Sequence, residues 1–91
     1  MVVKVKFFAT FRELFGVKAR DVSLPDGASA GALLDALADT PEKRAALFSG
    51  TDLHPDVVVL VNQDGLPSQG GLRAGLREGD VVAIFPMLGG G

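Results

Sequence analysis

Val2-Val3-Lys4-Val5-Lys6-Phe7-Phe8 alternates apolar with charged residues from Val3 to Phe7. Side chains of a strand point to opposite faces in turn, so Val3, Val5 and Phe7 share one face while Lys4, Lys6 and Phe8 share the other. This is the pattern of a half-buried strand, and the residues after it decide which sheet it enters. Phe11, Leu14 and Phe15 come next, and Gly16 marks a turn. A second strand then runs over Lys18–Leu24, with Val22 and Leu24 inward and Arg20 on the same face nearer the edge. Two strands joined by a short connection predict an opening hairpin.

Pro25-Asp26-Gly27 is a turn, and Ser29 is a suitable N-cap for a helix carrying Leu33, Leu34 and Leu37 at helical spacing, with Asp35 and Asp39 on its solvated side. Thr40-Pro41 starts a short second helix reaching about Phe48 and stopped by Gly50. Asp56-Val57-Val58-Val59-Leu60-Val61 reads as a buried central strand, closed by the turn residues Asn62-Gln63-Asp64-Gly65. Gly70-Gly71, read as a tight turn, lies in an irregular stretch, and Val81–Phe85 is the last strand. The order β-β-α-β-(short β)-β predicts an α+β protein of β-grasp, or ubiquitin-like, type. Its mixed sheet has four to five strands, with one main helix and a short second helix. The domain is expected to span residues 1–85, leaving 86–91 as a flexible tail.

Ninety-one residues suit one domain, and a hydrophobic fraction of 47% supplies its core. The apolar runs Val57–Val61 and Val81–Phe85 are far shorter than the ~20 residues of a membrane span. No basic segment leading into an apolar one opens the chain, so a cytoplasmic protein without membrane association is expected. With no Cys, thiolate and disulfide chemistry are excluded. The single His, His54, sits between turn formers and has no converging ligands, so no metal is expected. The net charge is −2 with Lys and Arg dispersed, which argues against nucleic acid as a partner.

No phosphate loop, dinucleotide fingerprint, zinc-protease motif or nucleophile elbow occurs. The chemistry is concentrated instead in Phe85-Pro86-Met87-Leu88-Gly89-Gly90-Gly91. At a Gly usage of about 7%, three glycines at one fixed place arise by chance roughly 0.0003 of the time, so the triplet is read as functional. Residues without Cβ can thread a narrow channel, and an extended Pro86–Gly91 segment reaches at most roughly 20–22 Å. A carboxylate is a poor electrophile, but adenylation by ATP gives it a leaving group. A sulfur nucleophile can then form a thiocarboxylate, or an amine an amide. No ATP motif is visible here, so the chain is not expected to be an enzyme by itself or to hold a cofactor. The ATP belongs to an activating enzyme.

Val5-Lys6-Phe7-Phe8-Ala9-Thr10-Phe11-Arg12-Glu13-Leu14, Val61-Asn62-Gln63 and Glu78-Gly79-Asp80-Val81-Val82-Ala83-Ile84-Phe85-Pro86 resemble the MoaD family, the small subunit of molybdopterin synthase. The resemblance spans essentially the whole chain. The thiamine sulfur carrier shares the fold and the Gly-Gly, but Phe-Phe-Ala and Phe-Pro favour the molybdopterin branch. The family often has a second Pro where Met87 stands, and Gly89 is read as replacing a bulkier residue, so Gly90-Gly91 is the diglycine proper. Gly70–Leu76 resembles a subgroup that includes carriers for other pathways and archaeal ubiquitin-like modifiers.

The resemblance implies that Gly91 is adenylated and converted to a thiocarboxylate, then inserted into a large subunit that passes sulfur to a pterin in molybdenum or tungsten cofactor synthesis. Implied partners are the molybdopterin synthase large subunit, a MoeB-like adenylating enzyme, and a sulfur donor such as a cysteine desulfurase or rhodanese. Gly89 and Gly90 give the tail clearance and Pro86 stiffens its exit. Alternation in the last strand turns Val82 and Ile84 toward the helix and Val81, Ala83 and Phe85 outward, and Phe8 is outward on the first strand. The resemblance places Phe8, Arg12 and Phe85 at the partner surface. Two alternatives keep the same tail. One is a modifier joined through Gly91 to lysines; the other is a carrier for thiamine, tRNA thiolation or cysteine.

Overall fold

The computed structural model describes residues 1–87. Strand β1, Val2–Phe7, buries every second residue, and Val3, Val5 and Phe7 are wholly enclosed. A short helix α1, Thr10–Phe15, leads to β2, Ala19–Ser23. The connection between the first two strands is therefore helical and not a plain turn: Phe11 buries its ring while Gly16, at φ 77, ends the helix and donates to the Arg12 carbonyl. Phe15 stacks on Phe7 with ring centroids 4.3 Å apart, tying the helix to the core.

Helix α2, Ala30–Leu37, is capped by Ser29, whose Oγ accepts from the Ala32 amide at 3.1 Å. Its Leu33, Leu34 and Leu37 are buried against the sheet. Helix α3, Pro41–Leu47, is capped in the same way by Thr40. Lys43 of α3 lies over the Phe15 ring and pairs with Asp39 at 2.9 Å. The Lys43 hydrogen bond lowers the Asp39 carboxyl below its ordinary range. The stabilisation this gives is present above the ordinary carboxylate pKa and fades as pH falls through the lowered folded one.

A two-stranded ribbon comes next, β3 (Phe48–Ser49) with β4 (Asp52–Leu53). Then come β5 (Val57–Val61), the short β6 (Asp64–Gly65), two 3-10 turns over Leu66–Gln69 and Gly71–Arg73, and β7 (Val81–Pro86). The five-stranded sheet has the order β2-β1-β7-β5-β6. Strand β7 is parallel to β1 and antiparallel to β5, with Phe7 opposite Ile84 and Val59 opposite Ile84 on the other side. This is the β-grasp arrangement.

Two expectations change. The central strand is β7, and β5 lies beside it, flanked on its outer side by the two-residue β6. The ordered ladder also runs past residue 85: Pro86 pairs with Val57, and the Met87 amide donates to the Asp56 carbonyl at 2.7 Å. Proline is tolerated there because β1 has already turned into α1, with the Phe8 carbonyl taken by the Phe11 amide. Leu88, Gly89, Gly90 and Gly91 lie outside the described residues.

The segment 71–76 is held against α2 by Ala30 N–H to the Ala74 carbonyl (2.8 Å) and Leu76 N–H to the Ala28 carbonyl (2.9 Å). Gly31 permits this approach, since a Cβ there would meet the Leu72 carbonyl oxygen at 3.0 Å.

Asn62 and Gln63 make the two-residue turn between β5 and β6, both at positive φ (51 and 76), as a type I′ turn requires. The Asn62 side chain donates to Asp80 Oδ1 at 2.9 Å and accepts from the Val81 amide at 3.0 Å. Asp80 Oδ2 in turn accepts from the Arg77 amide, while its carbonyl accepts from Lys4 N–H. Three strands are thereby pinned at one end. Asn62→Ala removes two hydrogen bonds and places a Cβ-bearing residue of low left-handed preference at positive φ, so it should cost about 2 kcal/mol in urea melts. Asn62→Gly should recover only the backbone part, and equal losses in the two variants would show that the side-chain bonds carry the whole effect.

Candidate functional site

The helices cover one face of the sheet and leave the other open. On the open face lie the alternate residues of β1, β7 and β5: Lys4, Lys6 and Phe8; Val81, Ala83 and Phe85; Val58 and Leu60. Val58 and Leu60 are half-buried, whereas Val57, Val59 and Val61 are buried. The apolar run of β5, which as a sequence suggests enclosure on both sides, is enclosed on one. Its other side contributes to an exposed apolar surface.

That surface forms a groove of about 440 Å³ lined by Phe8, Ala9, Leu60, Ala83, Phe85 and Pro86. Phe8 and Phe85 meet edge to face, ring centroids 5.9 Å apart and planes at 88°. The pair results from the β1–β7 ladder, since the Phe8 amide donates to the Ile84 carbonyl at 3.1 Å and so sets Phe8 beside Phe85. Phe8 is 38% exposed and Phe85 intermediate. Water therefore touches aromatic carbon on both, which is costly for a solitary molecule and useful at an interface.

Of the residues expected at the partner surface, Phe8 and Phe85 come together and Pro86 joins them at the rim. Arg12 stands on α1, exposed, with its Nε donating to the Phe7 carbonyl at 3.4 Å. It is not among the groove-lining residues. Leu60, Ala83 and Ala9 complete the lining; alternation turns Ala83 outward, but the sequence pattern marks neither Leu60 nor Ala9. The signal for Leu60 is its parity within β5, masked by the apolar residues on either side of it.

Ala9 carries its own strain. Its φ of 52 with ψ −125 is a region that residues with a Cβ avoid, and it starts α1 with no side-chain cap. The chain must turn sharply here, because Phe8 is still paired to β7 and the Arg12 amide already bonds the Ala9 carbonyl at 3.0 Å.

Among the described residues no three metal-ligating side chains converge, and no helix is long and apolar enough to cross a membrane. The groove reaches Pro86, next to Met87, the last described residue.

Residues 5–91 match the ThiS family. The chain is 34% identical to Small archaeal modifier protein 3 of Haloferax volcanii, an alignment covering 100% of both. It is 36% identical to the molybdopterin synthase sulfur carrier subunit of Haemophilus influenzae, over 99% of this chain and 100% of that one. The crystal structure of SAMP1 from Haloferax volcanii superposes with a TM-score of 0.82 at 26% identity, covering 100% of each chain.

Two variants probe the groove. Phe85→Ala should weaken partner association by about 2 kcal/mol by calorimetry. Its folding cost should stay below the roughly 3–5 kcal/mol of a fully buried phenylalanine, because part of the ring is already wet. Ala9→Gly should raise stability by about 1 kcal/mol in denaturant melts by releasing the positive φ; a loss instead would mean that the Ala9 methyl packs more than the strain costs.

Proposed function

The chain belongs to the ThiS family of small ubiquitin-like carriers, and from that membership we propose that its Gly91 carboxylate is activated by adenylation and converted to a thiocarboxylate. In this reading it serves as the small subunit of a molybdopterin synthase. The observation that carries it is the apolar groove at the tail's root, with Phe8, Phe85 and Pro86 on one rim. A body that docks through this groove presents the tail to the enzyme it has docked on.

The chemistry divides between the chain and its partners. A carboxylate oxygen of Gly91 attacks the α-phosphate of ATP held by the adenylating enzyme, and pyrophosphate leaves. The terminal sulfur of the donor's persulfide then displaces AMP at the acyl carbon. A thiol attacks the donor-side sulfur of the resulting acyl disulfide, breaking the S–S bond to leave the thiocarboxylate on Gly91 and a disulfide on the donor. The same sheet face next docks on the large subunit, which takes the sulfur for its pterin. The chain supplies reach and clearance: Pro86 fixes the exit direction, and Gly89 and Gly90 let the acyl end pass a constricted channel. The body, residues 1–87, supplies docking and no bond-making group.

The resemblance over full length to an archaeal modifier protein favours one second reading, in which the activated Gly91 is passed to a lysine amine rather than to sulfur. The two share adenylation and differ in the nucleophile. With the activating enzyme, ATP and a sulfur donor, intact-protein mass spectrometry should show one oxygen exchanged for sulfur, about 16 Da heavier, placed on Gly91 by fragmentation. Removing Gly90 and Gly91 should abolish this while the thermal melt stays unchanged. Sulfur acquired by the truncated chain would sink the proposal. In cells, abundant adducts joined through Gly91 to lysine, without free thiocarboxylate, would select the modifier reading.

A further inference from the structure

The open face has two halves of different chemistry. Beside the apolar groove lies a second concavity of about 400 Å³, which shares Phe8, Leu60 and Ala83 with it and adds Lys6, Asn62, Gln63 and Val81. Lys6 is the one charged side chain lining it. Its ladder partners are Ala19 on β2 and Ala83 on β7, both too short to shield the ammonium group. Lys4, two residues away on the same face, stands opposite Asp21. Among the described residues no carboxylate lies within 4.0 Å of Lys6.

An unpaired ammonium costs nothing while the face is wet. Once a partner covers the apolar residues around it, the same charge loses its water and becomes costly unless the cover supplies a carboxylate. The chain as a whole is acidic, with eleven Asp and Glu against nine Lys and Arg, so a cation among the apolar residues of this face is a local feature and not a reflection of bulk charge.

We propose that the adenylating enzyme, in covering the open face, sets a carboxylate against Lys6, beside the apolar surface that receives Phe8 and Phe85. The inference rests on the docking role given to this face under the proposed function, and it names the chemistry of the partner. Phe8 and Phe85 supply the non-specific part of the affinity. Lys6 supplies selection, because a partner with a basic or neutral group at that point leaves a buried charge unpaired.

The probe is the adenylating enzyme that the proposed function assigns to this chain, titrated calorimetrically with the full-length chain from about 50 mM to about 500 mM salt. Lys6→Gln should bind about tenfold more weakly at low salt, Lys6→Glu weaker still, and the curves should converge toward wild type at high salt. Phe85→Ala should weaken binding by a similar factor at every salt concentration, since its contribution is not electrostatic. Circular dichroism melts confirm that the exposed Lys6 variants are folded. Wild-type affinity for Lys6→Glu at low salt, or weakening that does not depend on salt, would overturn the carboxylate while leaving the docking role intact. Failure of the wild-type chain to bind the enzyme would overturn both.

Discussion

The structure depends on the parallel pairing of β1 with β7, which joins the two ends of the described chain at the centre of the sheet. Val5 opposite Val82 and Phe7 opposite Ile84 are all completely enclosed. Roughly eighty residues of chain are closed into a loop by this contact, and the entropic cost of doing so grows only slowly with length. Burial of these large side chains, each contributing roughly 1.5–3 kcal/mol, readily offsets it. The same pairing fixes the geometry at the end of the ladder. Phe8 must lie beside Phe85, and Pro86 and Met87 must follow next to them.

From this comes the asymmetry of the molecule. Helices α2 and α3 bring their leucines to one face only, so apolar residues of β5 and β7 on the other face stay accessible. A sheet whose open face were merely solvated would carry polar residues there, and β2 does so with Asp21 and Ser23 exposed. On β7 and β5 the corresponding positions are Val81, Ala83, Phe85, Val58 and Leu60. Exposed apolar patches of this kind suit contact with another molecule, and in the proposed function the place of this one beside Pro86 joins docking to delivery.

Residues that carry the family resemblance separate by role once placed. Asn62, Glu78, Gly79 and Asp80 form a structural clasp: Glu78 Oε1 accepts from Val2 N–H, Gly79 N–H reaches the Val2 carbonyl, and Asn62 and Asp80 complete it. Phe8, Phe85 and Pro86 belong instead to the groove. In this chain the residues of the resemblance thus divide between holding the sheet together and lining its open face. The short strained corner at Ala9 stands between them, where the paired strand becomes a helix.

Local patterning in the sequence determined the strands β1, β5 and β7, the Ser29 and Thr40 caps, and the inward sets Val3-Val5-Phe7 and Val82-Ile84, because side-chain alternation and capping are properties of adjacent residues. It likewise determined that Phe8 and Phe85 point outward. It did not show α1, since six residues with three apolar side chains fit a turn as well as a helix until Phe15 has Phe7 to stack on. Nor did it show that Val58 and Leu60 face a groove, because an apolar run looks alike whether covered on one side or two. Strand order, the edge-to-face meeting of Phe8 with Phe85, and the isolation of Lys6 between alanines all rest on contacts between residues far apart in the chain. Only the closed sheet, which sets residue 84 against residue 7, could decide them.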